Sequence, residues 1–283
     1  VDHRLSGIDH FLVGVRDLES ARVTWNRLGF TTTPRGRHVG WGTANYCIMF
    51  AADYIELLGI LDPSQFTSGL DQFLAEREGM LGVALGTTDA TVTAEAWRMH
   101  DLASQGPNAL SRLLELPGGS VEPRFRNVLL PLEATGGLRL FACQHLTPAL
   151  LRQPGWIRHA NGALALMSCT IVAPDPAALS EAMGRIFGTT ALTRTDTLTA
   201  IQTGSAVMLV ASARQAAHLH PAFDIEVPDK RPLIQVMAIM VESTDAAAAH
   251  LASHGVPHRR DPRGSVLVPA EQANGVNLEL VQG

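Results

Sequence analysis

One pattern recurs four times along this chain, and it restricts the available folds more than any single motif. GIDHFLVGV reads as a buried strand, and DLESARVTWNRLG as a helix with Asp17 as N-cap, apolar residues at Leu18, Ala21, Trp25 and Leu28, and Gly29 as the stop. Three short strand candidates follow, FTTTPRGRHV, GTANYCIMF and DYIELLGI, divided by Pro, Gly and Asp. The unit is βαβββ. The same order returns from Gly79, where GMLGVALGTTD and TAEAWRMHDLAS lead to strands ending in LRLFACQHL. It returns again from ALALMSCTIVAPD to SAVMLVAS, and from LIQVMAIMVESTD to VNLELVQ. Asp17, Asp89, Asp175 and Asp245 close the first strand of each copy and set a common register. Repeats this long, each with four strands, suit pairing of curved sheets better than stacking into a solenoid. The expected class is α+β, with two domains of two modules each. LDPSQFTSGLDQFLAE and HLTPALLRQPGWIRHANG are the connectors, the second marking the boundary.

Composition narrows the partners. The net charge of -5 comes from 22 basic and 27 acidic residues spread along 283, with no basic stripe for a nucleic-acid backbone. Cys47, Cys143 and Cys169 are far apart in apolar runs, which fits reduced, buried thiols and a cytoplasmic location. The start VDHRLSG has no signal-peptide pattern, and no apolar run is long enough to span a membrane. Phosphate-binding loops, dinucleotide fingerprints, nucleophile elbows and HExxH are absent from the sequence.

GIDHFLVGVRDLESARVTWNRLGF, GRHVGWGTANY and DYIELLGI resemble the vicinal oxygen chelate superfamily, and within it the glyoxalase-like domain proteins of the glyoxalase, bleomycin-resistance and extradiol-dioxygenase fold. The resemblance implies four βαβββ modules paired into two cup-shaped, open-barrel domains, residues 1–150 and residues 151–283. It also implies a divalent metal (Mn, Fe, Ni or Zn) inside a cup, held by one residue on the first and one on the last strand of each module. In module one these positions are His10 and Glu56; their counterparts are Gly82 and Phe141 in module two, Ser168 in module three, and Ala238 and Glu279 in module four. If modules one and two share a cup, the nearest substitute ligand is His145; if modules one and four share it, His10, Glu56 and Glu279 form the set. A buried histidine also needs no more than a hydrogen-bond partner, so a cup without metal stands beside both arrangements.

GRHVGWGTANY is the most polar and glycine-rich stretch of the first half. His38, Trp41, Thr43 and Asn45 form either a pocket rim, as the resemblance implies, or a tight hairpin with Trp41 as a packing lid. Arg124 and Arg126 share one face of a strand, with Phe125 on the other. Arg126 clamps a substrate carboxylate or phosphate if its face lines the cup, and meets solvent if it does not. Trp25 and Trp97 are core residues, and His218, His220, His250, His254 and His258 receive no chemistry.

The first functional reading is a lyase, isomerase or dioxygenase acting on a small molecule with adjacent oxygens. Glu56 is a metal ligand in it, or a general base whose pKa burial raises toward neutrality. The second reading is a metal-free protein that binds or sequesters a small molecule, its C-terminal domain being structural. Either admits a homodimer, and neither calls for nucleic acid or membrane.

Overall fold

The computed structural model describes residues 3–283; Val1 and Asp2 of the VDHRLSG start lie outside them. Module one consists of β1 (Leu5–Gly14), α1 (Leu18–Arg27), β2 (Gly36–His38), β3 (Thr43–Met49) and β4 (Tyr54–Ile60). A short α2 (Leu70–Glu76) leads to module two, with β5 (Gly79–Thr87), α3 (Ala90–Met99), β6 (Gln105–Leu116), β7 (Gly119–Val121), β8 (Arg124–Leu129) and β9 (Leu140–His145). Module three has β10 (Ala163–Val172), α4 (Pro176–Phe187), β11 (Leu192–Arg194), β12 (Leu198–Gln202) and β13 (Val207–Ala211). After α5 (Ala213–Leu219), module four has β14 (Leu233–Val241), α6 (Thr244–Ser253), β15 (Arg259–Arg260), β16 (Val266–Val268) and β17 (Asn277–Gln282).

The helix starts explain why the copies align, and where one slips. Asp17, Asp89 and Asp175 each accept backbone N–H groups of the first turn, from Ser20, from Thr91 and Val92, and from Ala178. Such caps satisfy donors that have no partner within the helix. In module four the cap is Ser243, which accepts from Ala246, and Asp245 sits inside the first turn. The register of the fourth copy therefore moves by two residues. Val236, not Ala238, is the counterpart of Gly82, as the strand pairing also requires: Leu12 faces Gly82 and Thr170 faces Val236.

Modules pair in chain order. Antiparallel β1 and β5 join the first two in a sheet of order β2-β3-β4-β1-β5-β9-β8-β6-β7, and β2 also pairs with β6, so that sheet closes into a barrel. Antiparallel β10 and β14 join the last two in an eight-stranded sheet whose end strands, β11 and β15, stay apart. This overturns the pairing of module one with module four: Glu279 lies on β17, in the other sheet from His10.

One apolar core joins the two sheets. Trp25 and Trp97, each almost fully buried under the barrel, belong to the same cluster as Leu166, Met183, Ile239 and Leu251 of the C-terminal half. Burying a large apolar side chain contributes about 2–3 kcal/mol. Polar contacts fix the fit, with Ile8 N–H donating to Ser205 Oγ (2.9 Å), Leu166 N–H to Asp53 Oδ1 (3.1 Å) and Asn161 Nδ2 to Leu28 O (3.0 Å). The concave faces differ. That of the second sheet is filled by its own chain, as Ala213, Ala216, Phe223 and Ile225 pack on Val172, Ala211, Val236 and Leu267. No helix is long and apolar enough to cross a membrane among the described residues.

Candidate functional site

The site begins with an irregularity in β1. Ile8 pairs with Leu85 and His10 with Ala84, so Asp9 is an extra residue facing no partner on β5. Strict alternation would send Asp9 and His10 to opposite faces; a bulge of this kind re-aims the chain and lets consecutive side chains meet. Both are buried, and Asp9 Oδ2 accepts from His10 Nδ1 at 2.7 Å and from His145 Nε2 at 2.9 Å.

Glu56 arrives from β4, opposite Leu12, and its Oε2 lies 3.4 Å from His10 Nε2. Its other oxygen accepts a short hydrogen bond from Asn45 Nδ2, and stands 3.7 Å from His38 Nε2 and 3.8 Å from Arg112 Nη1. His38 Nδ1 is held by the Thr43 hydroxyl at 2.9 Å, and Trp41 lies between the His38 and Phe66 rings. Below them Arg112 donates to Cys47 Sγ (3.2 Å) and lies over the Phe125 ring. His10, His38, Trp41, Thr43, Glu56, Arg112, Phe125 and Phe141 line a cavity of about 1440 Å³ inside the barrel. Its mouth reaches the segment that precedes β14, including Lys230 and Arg231.

The two cavity histidines are held in opposite states. Burial alone would lower the His10 pKa, but carboxylates at both ring nitrogens outweigh it and raise it to about 9. His10 is an imidazolium. Burial, reinforced by the Arg112 charge, outweighs the attraction of Glu56 at His38 and takes its pKa below the ordinary value. His38 is neutral. Burial pushes Glu56 upward too, yet the hydrogen bond from His10 and the charges of His10 and Arg112 win, holding it well below the usual carboxylate range. The expectation that burial brings Glu56 toward neutrality is thus corrected: its neighbours are cations.

Other expected residues stand elsewhere. Phe125 and Asn127 turn into the cavity, which leaves Arg124 and Arg126 on the opposite face of β8; the arginine beside Glu56 is Arg112 instead. Glu279 pairs with His220 Nδ1 (3.3 Å) and Arg263 Nη2 (3.1 Å) in the second sheet. His145 reaches Asp9, not Glu56. Asp9 and Arg112 escaped the reading by period, although an arginine set among leucines in ALSRLLEL is itself a signal of a buried charge.

The superfamily's metal position is poorly furnished for an ion. Its four places carry His10, Glu56, Gly82 and Phe141, so two offer no donor. A Cβ at Gly82 would come within 2.6 Å of the Arg139 carbonyl oxygen, so the backbone just before β9 leaves no space for a ligand side chain there. Both His10 nitrogens already face carboxylates, and the Arg112 cation stands where charge repels a metal. A separate trio, Asp9, Cys143 and His145, brings donor atoms within 4.8 Å of one another and could hold an ion. As folded, Asp9 is occupied by two imidazoles, and burial with the nearby Asp9 and Glu56 charges pushes the Cys143 thiol well above its usual pKa. Neither group fits a metal without rearrangement.

Residues 8–187 match the sequence model of a family described as glyoxalase-like domain. No curated protein sequence matches. Among solved structures, a hypothetical protein from Staphylococcus aureus is similar with a TM-score of 0.70 at 10% identity, over 98% of this chain and 99% of that one. A 4-hydroxymandelate synthase variant from Streptomyces coelicolor follows at 0.60 and 12%, over 98% and 92%. A fusion of a xylose isomerase-like TIM barrel with a 4-hydroxyphenylpyruvate dioxygenase gives 0.57 and 15%, this chain spanning 48% of it. At these identities the likeness is one of fold.

Proposed function

Because the chain belongs to the glyoxalase-like domain family and has the vicinal oxygen chelate fold, we propose that its N-terminal barrel binds a small molecule with adjacent oxygens and moves a proton beside its carbonyl. The observation that supports this is the pair of unlike histidines around Glu56. Neutral His38, steadied through Nδ1 by Thr43, can take a proton from carbon at Nε2. His10, charged and fixed between Asp9 and Glu56, can donate through Nε2 to the carbonyl oxygen as the C–H bond breaks, giving a neutral enol rather than a free enolate. Groups with pKa values pushed apart in one cavity are suited to acid and base roles. Glu56 keeps the imidazolium oriented and separates the two rings; Trp41 and Phe66 meet edge to face at the rim. The class is an isomerase or lyase, with no step assigned to a metal.

A binder without chemistry is favoured by one observation, the Gly82 and Phe141 vacancies in the donor set. Hydrogen exchange separates the readings. Chelator-treated protein, incubated in D2O with a panel of small 2-oxo and 2-hydroxy compounds, is expected to place deuterium next to the carbonyl. His38→Asn or His10→Asn should slow this by about 10²–10⁴. Retention of a compound without exchange identifies a binder. Exchange that vanishes on chelation and returns with Mn, Fe, Ni or Zn restores the metal-dependent reading.

A further inference from the structure

Arg139 stands immediately before β9, and the neighbouring strand makes room for it. A Cβ on Gly82 would lie 2.9 Å from Arg139 Cβ and 3.0 Å from its Cγ, so the arginine stem crosses β5 where the superfamily pattern puts a ligand side chain. Arg139 precedes Phe141 by two residues and shares its face, and Phe141 borders His10 inside the barrel. The side chain lines the cavity and is half-buried. At its tip Nη1 donates to Ser68 O (2.8 Å) and Nη2 to Ser68 Oγ (3.1 Å), in the loop between β4 and α2. Those bonds leave the rest of the guanidinium fork free. Nε has no acceptor among the described residues, and unlike the sealed Nε of Arg112 it reaches open space. No carboxylate among the described residues forms an ion pair with Arg139, although Glu56, Glu76, Glu226 and Asp229 line the same cavity. Glu226 is taken by Arg77 at 2.8 Å. Burial lowers the Arg139 pKa, and the more distant Glu56 charge offsets part of that.

We infer that Arg139 receives a carboxylate of the substrate, at the end of the molecule that lies toward the mouth and apart from the oxygens that meet His10. A planar cation with one end tied to Ser68 matches a single carboxylate better than a phosphate, which carries more charge. Its place follows from the strands. β9 runs inward from the mouth, where Gly137 lies against Pro232. The Arg139 row is therefore one two-residue step, about 7 Å, outside the row of His10, Ala84 and Phe141. The anchored carboxylate and the reacting carbonyl occupy separate points of one substrate. Leu12, Leu81 and Phe141 border the stretch between them, which favours an apolar linker. The inference rests on the barrel cavity being the substrate site, as in the proposed function.

The probes are 4,5-dioxohexanoate, the matching 2,3-hexanedione, which keeps the adjacent oxygens and has a methyl group in place of the carboxylate, and inorganic phosphate. Each is titrated calorimetrically and by thermal shift. The wild-type protein is expected to bind the acid at least about tenfold more tightly than the dione. Arg139→Met, which keeps an apolar stem over Gly82, should bring the two affinities within about twofold of each other by weakening the acid alone. Arg139→Lys keeps the charge, loses the fork and should weaken the acid at least about threefold. Arg126→Met, on the outer face of the same barrel, serves as the unchanged control. Equal affinity for acid and dione in the wild type, undiminished acid binding in Arg139→Lys, loss of the preference in Lys230→Met in place of Arg139→Met, or displacement of the acid by equimolar phosphate overturns the inference. If Arg139→Met does not fold, the wild-type comparison and Arg139→Lys still decide. Deuterium exchange into the dione with no preference for the acid would keep the proton-transfer reading and remove the clamp. The expected preference without exchange would keep the clamp and remove the proton transfer, and binding of neither probe overturns both.

Discussion

The two sheets are built on one plan and end in different states. In the first, Leu12 faces Glu56 and Ala84 faces Phe141; in the second, Thr170 faces Leu209 and Ala238 faces Glu279. Each cup thus keeps one acid among four equivalent places, in opposite modules. Each acid meets histidine and arginine: His10, His38 and Arg112 in the barrel, His220 and Arg263 in the open sheet. What differs is where the cations come from. His10 and Arg112 stand on barrel strands and leave the interior hollow, whereas His220 follows α5 and arrives with the segment that plugs its cup. Arg263 reaches in from a surface loop, with most of its side chain exposed. The same three residue types line an open hollow in one case and make a latch in the other, so residue type alone does not mark a site.

The largest test of that contrast is to neutralise each acid. Glu56→Gln should reduce exchange by about 10²–10⁴, since His10 loses one of its two carboxylates and its donor role with it. Glu279→Gln should leave exchange unchanged and cost about 1–3 kcal/mol in urea unfolding, the penalty for a buried partner left incomplete. Equal activity losses would mean that the cups are not separate in function. Next in size is the plug. Phe223→Ala, under Val236 and Leu267, is expected to cost about 3 kcal/mol, because a well-packed ring is removed. Phe125→Ala should cost less, since that ring already borders a hollow, and should widen the cavity instead.

Asp53 probes how tightly the halves are joined. It lies between β3 and β4, accepts Leu166 N–H from the second sheet, and burial raises its pKa to about 7. The folded state therefore binds its proton more tightly than the unfolded chain, whose carboxyl titrates near the ordinary aspartate value. Its share of stability is fully present below about pH 4 and lost as pH rises to about 7. Asp53→Asn keeps an acceptor for Leu166 without the charge. Its melting temperature should gain on the wild type between those limits, by about 3 °C or more at pH 8, and match it near pH 4. A constant offset would mean that Asp53 does not titrate in this window.

Much of this architecture is legible in the sequence because caps and alternation are local. Asp17, Asp89 and Asp175 mark strand ends by a hydrogen bond made within four residues, and His10 and Glu56 stand out as polar positions in apolar strands. The remainder depends on relations that local pattern does not carry. A period of two says that Arg124 and Arg126 share a face and Phe125 takes the other, but not which one looks inward. The bulge at Asp9 adds one residue without altering composition, so the Asp9–His10 contact has no periodic trace. Glu56 was expected to titrate upward because its burial is visible in sequence and its cations are not; one comes from β6, more than fifty positions away.

The smallest predicted effect concerns the register on which the whole comparison of cups rests. If Ser243 is the true counterpart of Asp17, its hydroxyl closes the first turn of α6, and Ser243→Ala should cost about 1 kcal/mol. Asp245 makes its contact with Arg260 at the surface, where an ion pair contributes a few tenths of a kcal/mol, so Asp245→Ala should change stability by less than about 0.5 kcal/mol. Native-state hydrogen exchange at Ala246 adds a local readout: its amide should lose protection in Ser243→Ala and keep it in Asp245→Ala. The reverse order would return the register to Asp245 and make Ala238 the counterpart of Gly82. Glu279 would then fall out of step with Phe141, and the equivalence of the two acids with it.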